Sequence, residues 1–441
     1  MSHITNSFVP PISTKRGLIS LSPMLVFLIM YLVVSLIIGD FYRMPMSVAL
    51  LVASVCAVLI YRSVPLAKRI EVFSRAAGTP NVIYMIWIFI LAGAFASLAK
   101  GVGAIDATVK MTLYVFPVEY VIPGLFVAAC FVSLSIGTSV GTVVALTPLA
   151  VELAAVCGDS LPLFVGIVLG GAFFGDNLSF ISDTTIAATR TQGCSMSDKF
   201  KANVWITVPA AVITIIIYIL MSPDALATDM GDIDNISLIL PYMVVIILAI
   251  MGVNVTVVLT SGIICALIVG LMSGGAIMDM VGFIGDGIDS MGNLIIVTAM
   301  AAGVLGIVKE CGGINYILQF LTRHVSGVRG AQTCIAILVG LVNVCTANNT
   351  VAIITVGSIS KEIADRFGVD PRKSASLLDT CSCIVQCIIP YGAQTLLATS
   401  LAGISPAAPF PYLYYPWALA FVVALSVIFL FPRHLSKAIK A

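Results

Sequence analysis

Long apolar runs alternate with short polar interruptions along this chain, and the runs have the length of membrane spans. A helix needs about 20 apolar residues to cross about 30 Å of hydrocarbon. Residues 22–39, 45–61, 81–99, 203–221, 236–253, 254–273, 291–308 and 412–431 meet that requirement. Two further segments, 161–192 and 373–404, meet it with a polar interruption at the centre. Ten crossings follow. The stretches 121–157 and 329–366 differ, because each is split by a polar cluster, "SIGTSVGT" (135–142) and "CTANNT" (345–350). Polar backbone at mid-bilayer is tolerated only where protein buries it or a cavity faces it, so a re-entrant hairpin is the economical reading of each. A pair of full spans joined by a tight polar turn is the alternative.

The pattern repeats. A shift of about 209 positions lays 45 on 254, 81 on 290 and the cluster at 138–142 on 346–350; it also lays 161–162 on 370–371, 175–185 on "IPYGAQTLL" (389–397) and 203 on 412. Each copy then holds five crossings and one hairpin. Five is odd, so the second copy must sit upside down. The expected fold is an all-α polytopic membrane protein of two inverted-topology repeats, with about ten transmembrane helices, two re-entrant hairpins and two interrupted helices. Residues 1–221 form the first repeat with an N-terminal cytoplasmic tail. The acidic stretch 222–235 is an external linker, and 236–441 form the second repeat.

Composition agrees with this class, since 60% of residues are hydrophobic and only 10% charged, against about a quarter charged in soluble domains. The net charge of +1 gives no basic surplus for nucleic acid. The absence of a nucleotide-binding loop and of a soluble domain excludes ATP-driven pumping. The eleven cysteines are scattered through apolar runs without a CxxC pair, which reads as packing and not as a metal or disulfide framework. Lys15 and Arg16 precede the first run with no small-residue cleavage site, so an uncleaved first helix is expected. With the N-terminus inside, 19 of the 22 basic residues, Lys199 and Lys373 among them, fall in loops on the cytoplasmic side. The expected location is the plasma (inner) membrane, multi-pass, with both termini cytoplasmic. The first hairpin then enters from outside and the second from inside, so a probe at Ser139 would be met from outside and one at Asn348 from inside.

Chemistry concentrates at "GDNLSFISDTT" (175–185). The apolar run before it is too short to cross alone, and Arg190 must be inside while Asp159 is outside, so the polar stretch is an unwound centre within one span. Unwinding frees backbone carbonyls, which with the oxygens of Asn177, Ser182 and Thr184 suit a hard cation such as Na⁺. Carboxylates at this depth mark an ion path by default, and Asp176 and Asp183 are the first candidates. The other reading makes them helix caps in a hydrated loop, with Asp183 capping 184–190. The matching stretch "IIPYGAQT" (388–395) has no carboxylate and offers Tyr391, Gln394 and Thr395. Gly137, Thr138 and Ser139 at one hairpin tip, and Asn348, Asn349 and Thr350 at the other, supply neutral groups for Na⁺ or a substrate. Asp379 stands between the ion path and a structural pairing. Glu152 and Glu362 read as interfacial.

The string "GGAFFGDNLSFISDTT" (170–185), followed by a small-residue segment and a basic loop, resembles the signature of the NhaC-type Na⁺/H⁺ antiporter family within the ion transporter superfamily. The resemblance implies opposed hairpins, Na⁺ coupling and motion of a transport unit against a scaffold. It implicates Asp176, Ser182, Asp183 and Thr184, with Na⁺ held by the last three, and Asn348, Asn349 and Thr350. Three functions remain in play. In the first, Na⁺ and H⁺ compete for Asp176 and Asp183. The second is a Na⁺- or H⁺-coupled transporter or exchanger of a small amino or carboxylic acid, for which the neutral donors of the second half speak. The third, a membrane-embedded enzyme, lacks any HExxH motif and any pairing of intramembrane histidines. No cofactor is expected beyond Na⁺ as coupling or transported ion. The expected partners are Na⁺, H⁺, the lipid bilayer, a small amino or carboxylic acid in the second reading, and a homodimer left open; nucleic acid is not among them.

Overall fold

The computed structural model describes residues 12–38, 45–115, 120–179, 182–221, 236–251, 253–322 and 325–432. The expected linker, most of the N-terminal tail and the last residues of the second repeat lie outside them. The apolar runs form helices because intrahelical bonds are the only way to satisfy backbone polar groups in hydrocarbon. The first ten are α1 (Thr14–Ile38), α2 (Met46–Ile60), α3 (Leu66–Ala77), α4 (Pro80–Gly101), α5 (Ala104–Val115), α6 (Val121–Ile136), α7 (Ser139–Cys157), α8 (Leu161–Leu178), α9 (Asp183–Gln192) and α10 (Met196–Met221). The next ten are α11 (Leu240–Ile250), α12 (Val255–Met272), α13 (Ile277–Ser290), α14 (Gly292–Glu310), α15 (Gly313–Thr322), α16 (Gly327–Thr346), α17 (Asn349–Phe367), α18 (Pro371–Ile388), α19 (Ala393–Ala402) and α20 (Tyr414–Ile428). No strand occurs among the described residues. Among the described residues, eight segments are long and apolar enough to cross a membrane, including the interrupted pairs α8–α9 and α18–α19, and four shorter apolar helices accompany them.

The second ten helices follow the first in order and spacing. Helices α7 and α17 begin at 139 and 349, α8 and α18 at 161 and 371, and α9 and α19 at 183 and 393, a separation of 210 in each case. The two halves interlock through these elements. Helix α19 packs on α7, and α17 packs on α9. Helix α8 forms the centre and is buried from Leu163 to Leu178. Its small residues admit α6 closely, as membrane helix pairs require; at Gly175 an added Cβ would strike Ser133.

Four helices were absent from the span reading: α3, α5, α13 and α15. They are too short to span, and α3 ("LAKRIEVFSRAA") carries charge on one side and apolar groups on the other. Lys68 chiefly, with Arg75, holds the Glu71 carboxyl below the usual carboxylate range. Its apolar side is received by the other half: Phe73 lies against Gly303 and Ala76 against Gly306 on α14. Reciprocally, α13 packs on α4, with Gly287 against Gly93.

Two lysines counted as loop charges lie elsewhere. Helix α10 begins seven residues before the expected span, and Lys199 within it is buried. Lys373, buried in the first turn of α18, donates to Ser426 Oγ and, at 3.1 Å, to the carbonyl of Phe431. A long buried side chain can lie against apolar surface provided its head finds oxygens, which the apolar-run search does not register.

Candidate functional site

Each hairpin turns on one left-handed residue. Helix α6 ends at Gly137 with φ 73°, a conformation that favours glycine. Helix α16 ends 210 positions later at Ala347 with φ 48°, where a Cβ adds about 1 kcal/mol of strain. Asn348 then caps α17, its Oδ1 accepting the Val351 N–H at 2.9 Å.

The breaks are equally definite. Helix α8 ends at Leu178, and Ser182 caps α9 by accepting the Thr185 N–H at 3.3 Å. The hydroxyls that follow turn back onto the carbonyls the break has freed. Ser182 Oγ donates to the Asp176 carbonyl at 2.9 Å, and Thr185 Oγ1 donates to the Ser179 carbonyl at 2.8 Å. Asp183 is therefore not the cap that the loop reading made it. It occupies the first helical position with its side chain exposed.

The two tips and the two breaks meet at a cavity of about 390 Å³. From the first half it is lined by Gly137, Thr138, Ser139, Asp176, Asp183 and Thr184, and from the second by Asn348, Asn349, Thr350 and Gln394. Both tips thus line one cavity. Tyr84, near the start of α4, and Asn254, the N-cap of α12, are exposed and complete one rim.

Asp176 ties α8 to the first tip. Its Oδ1 accepts the Ser139 N–H at 2.9 Å and its Oδ2 accepts from Ser139 Oγ. The first-turn amides of α7 carry the positive end of the helix dipole, so they favour an anion here. Ser139 Oγ accepts in turn from Gln394 Nε2 at 3.0 Å. Gln394 Oε1 accepts from Gln386 Nε2 at 3.1 Å, and Gln386 Nε2 also donates to the Ala347 carbonyl at 3.0 Å. The halves are joined at the site by this line of side chains. Gln386 was missed in the sequence, although the same separation of 210 places it opposite Asp176.

Three expected residues do not line the cavity. Ser182 is occupied as the α9 cap. The Asn177 side chain donates to the Phe173 carbonyl at 2.9 Å and to the Tyr415 hydroxyl at 3.1 Å. Asp379 forms an ion pair with Lys199 at 2.7 Å and accepts from Asn203 at 2.8 Å, all fully buried. Of its two readings, the geometry matches the structural pairing. Lys199 Nζ also donates to the Asn177 carbonyl at 2.7 Å and to Thr185 Oγ1 at 2.6 Å, so it braces both sides of the break.

The electrostatics of the cavity are one-sided. Asp176 and Asp183 face it together with hydroxyl, amide and carbonyl oxygens, and none of its described lining residues is Lys, Arg or His. Such a set suits a hard monovalent cation or a proton and repels a bare anion.

Comparison with known proteins agrees with this chemistry. The malate-2H⁺/Na⁺-lactate antiporter of Bacillus subtilis is 22% identical over 88% of this chain and 90% of its own length. The Na⁺/H⁺ antiporter NhaC of Alkalihalophilus pseudofirmus is 23% identical over 77% of this chain and 80% of its own. The Na⁺/H⁺ antiporter NhaC of Bacillus subtilis is 25% identical, with 74% and 79% covered. The profile of the Na⁺/H⁺ antiporter family matches residues 12–222 and 227–432. With nearly its whole length matched, this multi-pass membrane chain belongs to the Na⁺/H⁺ antiporter family.

Proposed function

We propose that Na⁺ and H⁺ exchange in the cavity between the hairpin tips, with Asp176 and Asp183 as the groups that take one or the other. The observation that carries this reading is the pairing of two carboxylates with neutral oxygens on a cavity whose described lining lacks a basic side chain. Na⁺ drawn to the carboxylates finds further oxygens at Thr184, Thr138 and Asn348. Asp176 suits the proton-carrying role because Ser139 Oγ can donate to the carboxylate or accept from the acid without losing contact. Asp183 stays open to the cavity, where its side chain meets the incoming cation. One proton leaves for each Na⁺ bound, and the exchange is electroneutral.

The orientation proposed is N-terminus inside, in the inner membrane, with the second ten helices inverted relative to the first. The recurrent separation of 210 residues and the bias of loop charges support it; with Lys199 and Lys373 set aside, seventeen basic residues still favour the cytoplasmic side. Tyr84 and Asn254 then sit at cytoplasmic helix ends, and the cavity opens inward. Rocking of the two halves would present it outward.

A second reading has one observation behind it: a cavity of about 390 Å³ exceeds what a bare ion needs, and one relative is a malate-2H⁺/Na⁺-lactate antiporter. A carboxylate cargo here would need Na⁺ to bridge it to Asp183. The experiment is Na⁺-driven pH change in proteoliposomes, with and without a panel of amino and carboxylic acids. Exchange without any acid supports the first reading; exchange only with one supports the second.

A further inference from the structure

We propose that the pocket between the start of α1 and the end of α2 binds the headgroup phosphate of an anionic phospholipid. Its volume is about 350 Å³, and it shares no lining residue with the cavity between the hairpin tips. Lys15 and Arg16 reach it from the first turn of α1, and Arg62 from the turn that follows α2. All three are exposed, and their side chains make no hydrogen bond or ion pair among the described residues. The hydroxyls of Tyr61 and Ser63 line the pocket beside them. Such a set donates to phosphate oxygens, and each guanidinium can hold two of them at once. The positive end of the α1 dipole favours an anion at the same place.

The charge is not cancelled nearby. Glu310, the last residue of α14, acts on Tyr61 together with Arg16 and offsets one of the three charges. Lys68 acts on Tyr61 as well, but Glu71 pairs with it at 3.0 Å. Residues 1–11 contain no Asp or Glu. A positive surplus therefore stays in the pocket. Its walls are held from several sides. Buried Ser20 Oγ donates to the Arg16 carbonyl at 2.8 Å and reaches the Cys311 carbonyl at 2.9 Å, which ties α1 to the α14–α15 corner. Gly17 lies so close to Tyr316 on α15 that an added Cβ would overlap the ring. Arg69 fixes the α2–α3 turn by donating to the carbonyls of Val64 at 2.7 Å and Val58 at 3.2 Å.

Position selects a lipid phosphate over a free one. The pocket lies where two apolar helices end, next to the amphipathic α3, and so at the level of the headgroups. Ile19 carries its lining onto the outer face of α1, where Leu18, Leu25 and Ile29 are exposed; Val55 and Leu59 are exposed on the adjoining α2. A phosphate in the pocket thus has an apolar path for acyl chains leading away from it, and basic pockets at this level recognise anionic lipids.

The test is native mass spectrometry of the full-length protein in neutral detergent. It is titrated with phosphatidylglycerol, with phosphatidylcholine of the same acyl chains, and with inorganic phosphate. Wild type should bind the first phosphatidylglycerol at least about tenfold more tightly than phosphatidylcholine, and inorganic phosphate in large excess should not displace it. Each of K15Q, R16Q and R62Q should weaken phosphatidylglycerol about fivefold, the factor for one basic residue at an anionic membrane surface, and the triple variant should no longer distinguish the two lipids. R75Q removes a positive charge outside the pocket and should leave phosphatidylglycerol binding unchanged. The substituted side chains are exposed, so the variants keep the fold. Equal binding of the two lipids by wild type, or equal losses in R62Q and R75Q, would overturn the site. Displacement by inorganic phosphate would overturn the lipid as its ligand.

Discussion

The buried pair of Lys199 and Asp379 permits the sharpest energetic prediction. Their charged atoms lie 2.7 Å apart with side-chain exposures of 1% and 0%. At an effective dielectric constant of about 20, the mutual attraction is about 6 kcal/mol, and it offsets a desolvation penalty of several kcal/mol for each ion. Removing one partner forfeits the attraction but leaves the other charge buried. K199M should therefore destabilise the protein by about 3–5 kcal/mol, with a further loss from the Asn177 carbonyl and Thr185 hydroxyl it abandons. D379N should lose a similar amount. The double variant K199M/D379N removes both charges and should recover most of the loss, to within about 2 kcal/mol of wild type. Denaturant unfolding in mild detergent, followed by tryptophan fluorescence, gives the four corners of the cycle. The double variant should also keep Na⁺/H⁺ exchange, because neither residue lines the cavity. Additive losses would refute the pairing as the source of the energy, and a stable but inactive double variant would return Asp379 to the ion path.

Further outcomes follow from the site. D183N should abolish Na⁺-driven proton flux while shifting unfolding by less than about 1 kcal/mol, because the side chain is exposed and the helix cap is Ser182; retained flux would remove Asp183 from the mechanism. In a background without native cysteines, T138C and N348C should both react with an impermeant thiol reagent from the cytoplasmic side in the inward-open state, and Na⁺ should slow both. Labelling of one from each side in that state would contradict the shared cavity. G175V should destabilise by about 1–3 kcal/mol, since its Cβ would strike Ser133 across the α6–α8 contact; unfolding at the wild-type midpoint would show that α6 can move aside.

Much of the architecture was legible because hydrocarbon demands long apolar runs and penalises polar interruptions. The hairpin turns at 137 and 347 and the breaks after 178 and 388 fall inside the polar clusters that the pattern singled out. Helices α3 and α13 were not legible by that route, since an amphipathic helix lying against another half has no run to detect. Lys199 was misplaced for a related reason: the apolar window opens at 203, while the helix begins at Met196 and carries the lysine inward to an acid 180 positions away. That partner is set by tertiary packing, which no local pattern encodes. Gln386 lay within reach. Applying the repeat offset to Asp176 itself, and not only to the landmarks, lands on it within a residue. Asn177 and Ser182 were read as ion ligands from residue type, but a break must first satisfy its own backbone, and Ser182 is used for that while Asn177 is turned toward Phe173 and Tyr415.

The central claim is that one proton and one Na⁺ exclude each other at the carboxylates of the shared cavity. By linkage, lower pH must then weaken Na⁺ binding, and higher pH strengthen it until the proton-carrying group is fully ionised. The direct measurement is the Na⁺ affinity of the purified protein across a pH series, by calorimetry in potassium-free buffer. Exchange of one proton predicts an affinity that rises about tenfold per pH unit on the acid side, or about 1.4 kcal/mol, and then levels off. An affinity that stays flat from acid to alkaline pH would contradict proton competition at Asp176 and Asp183.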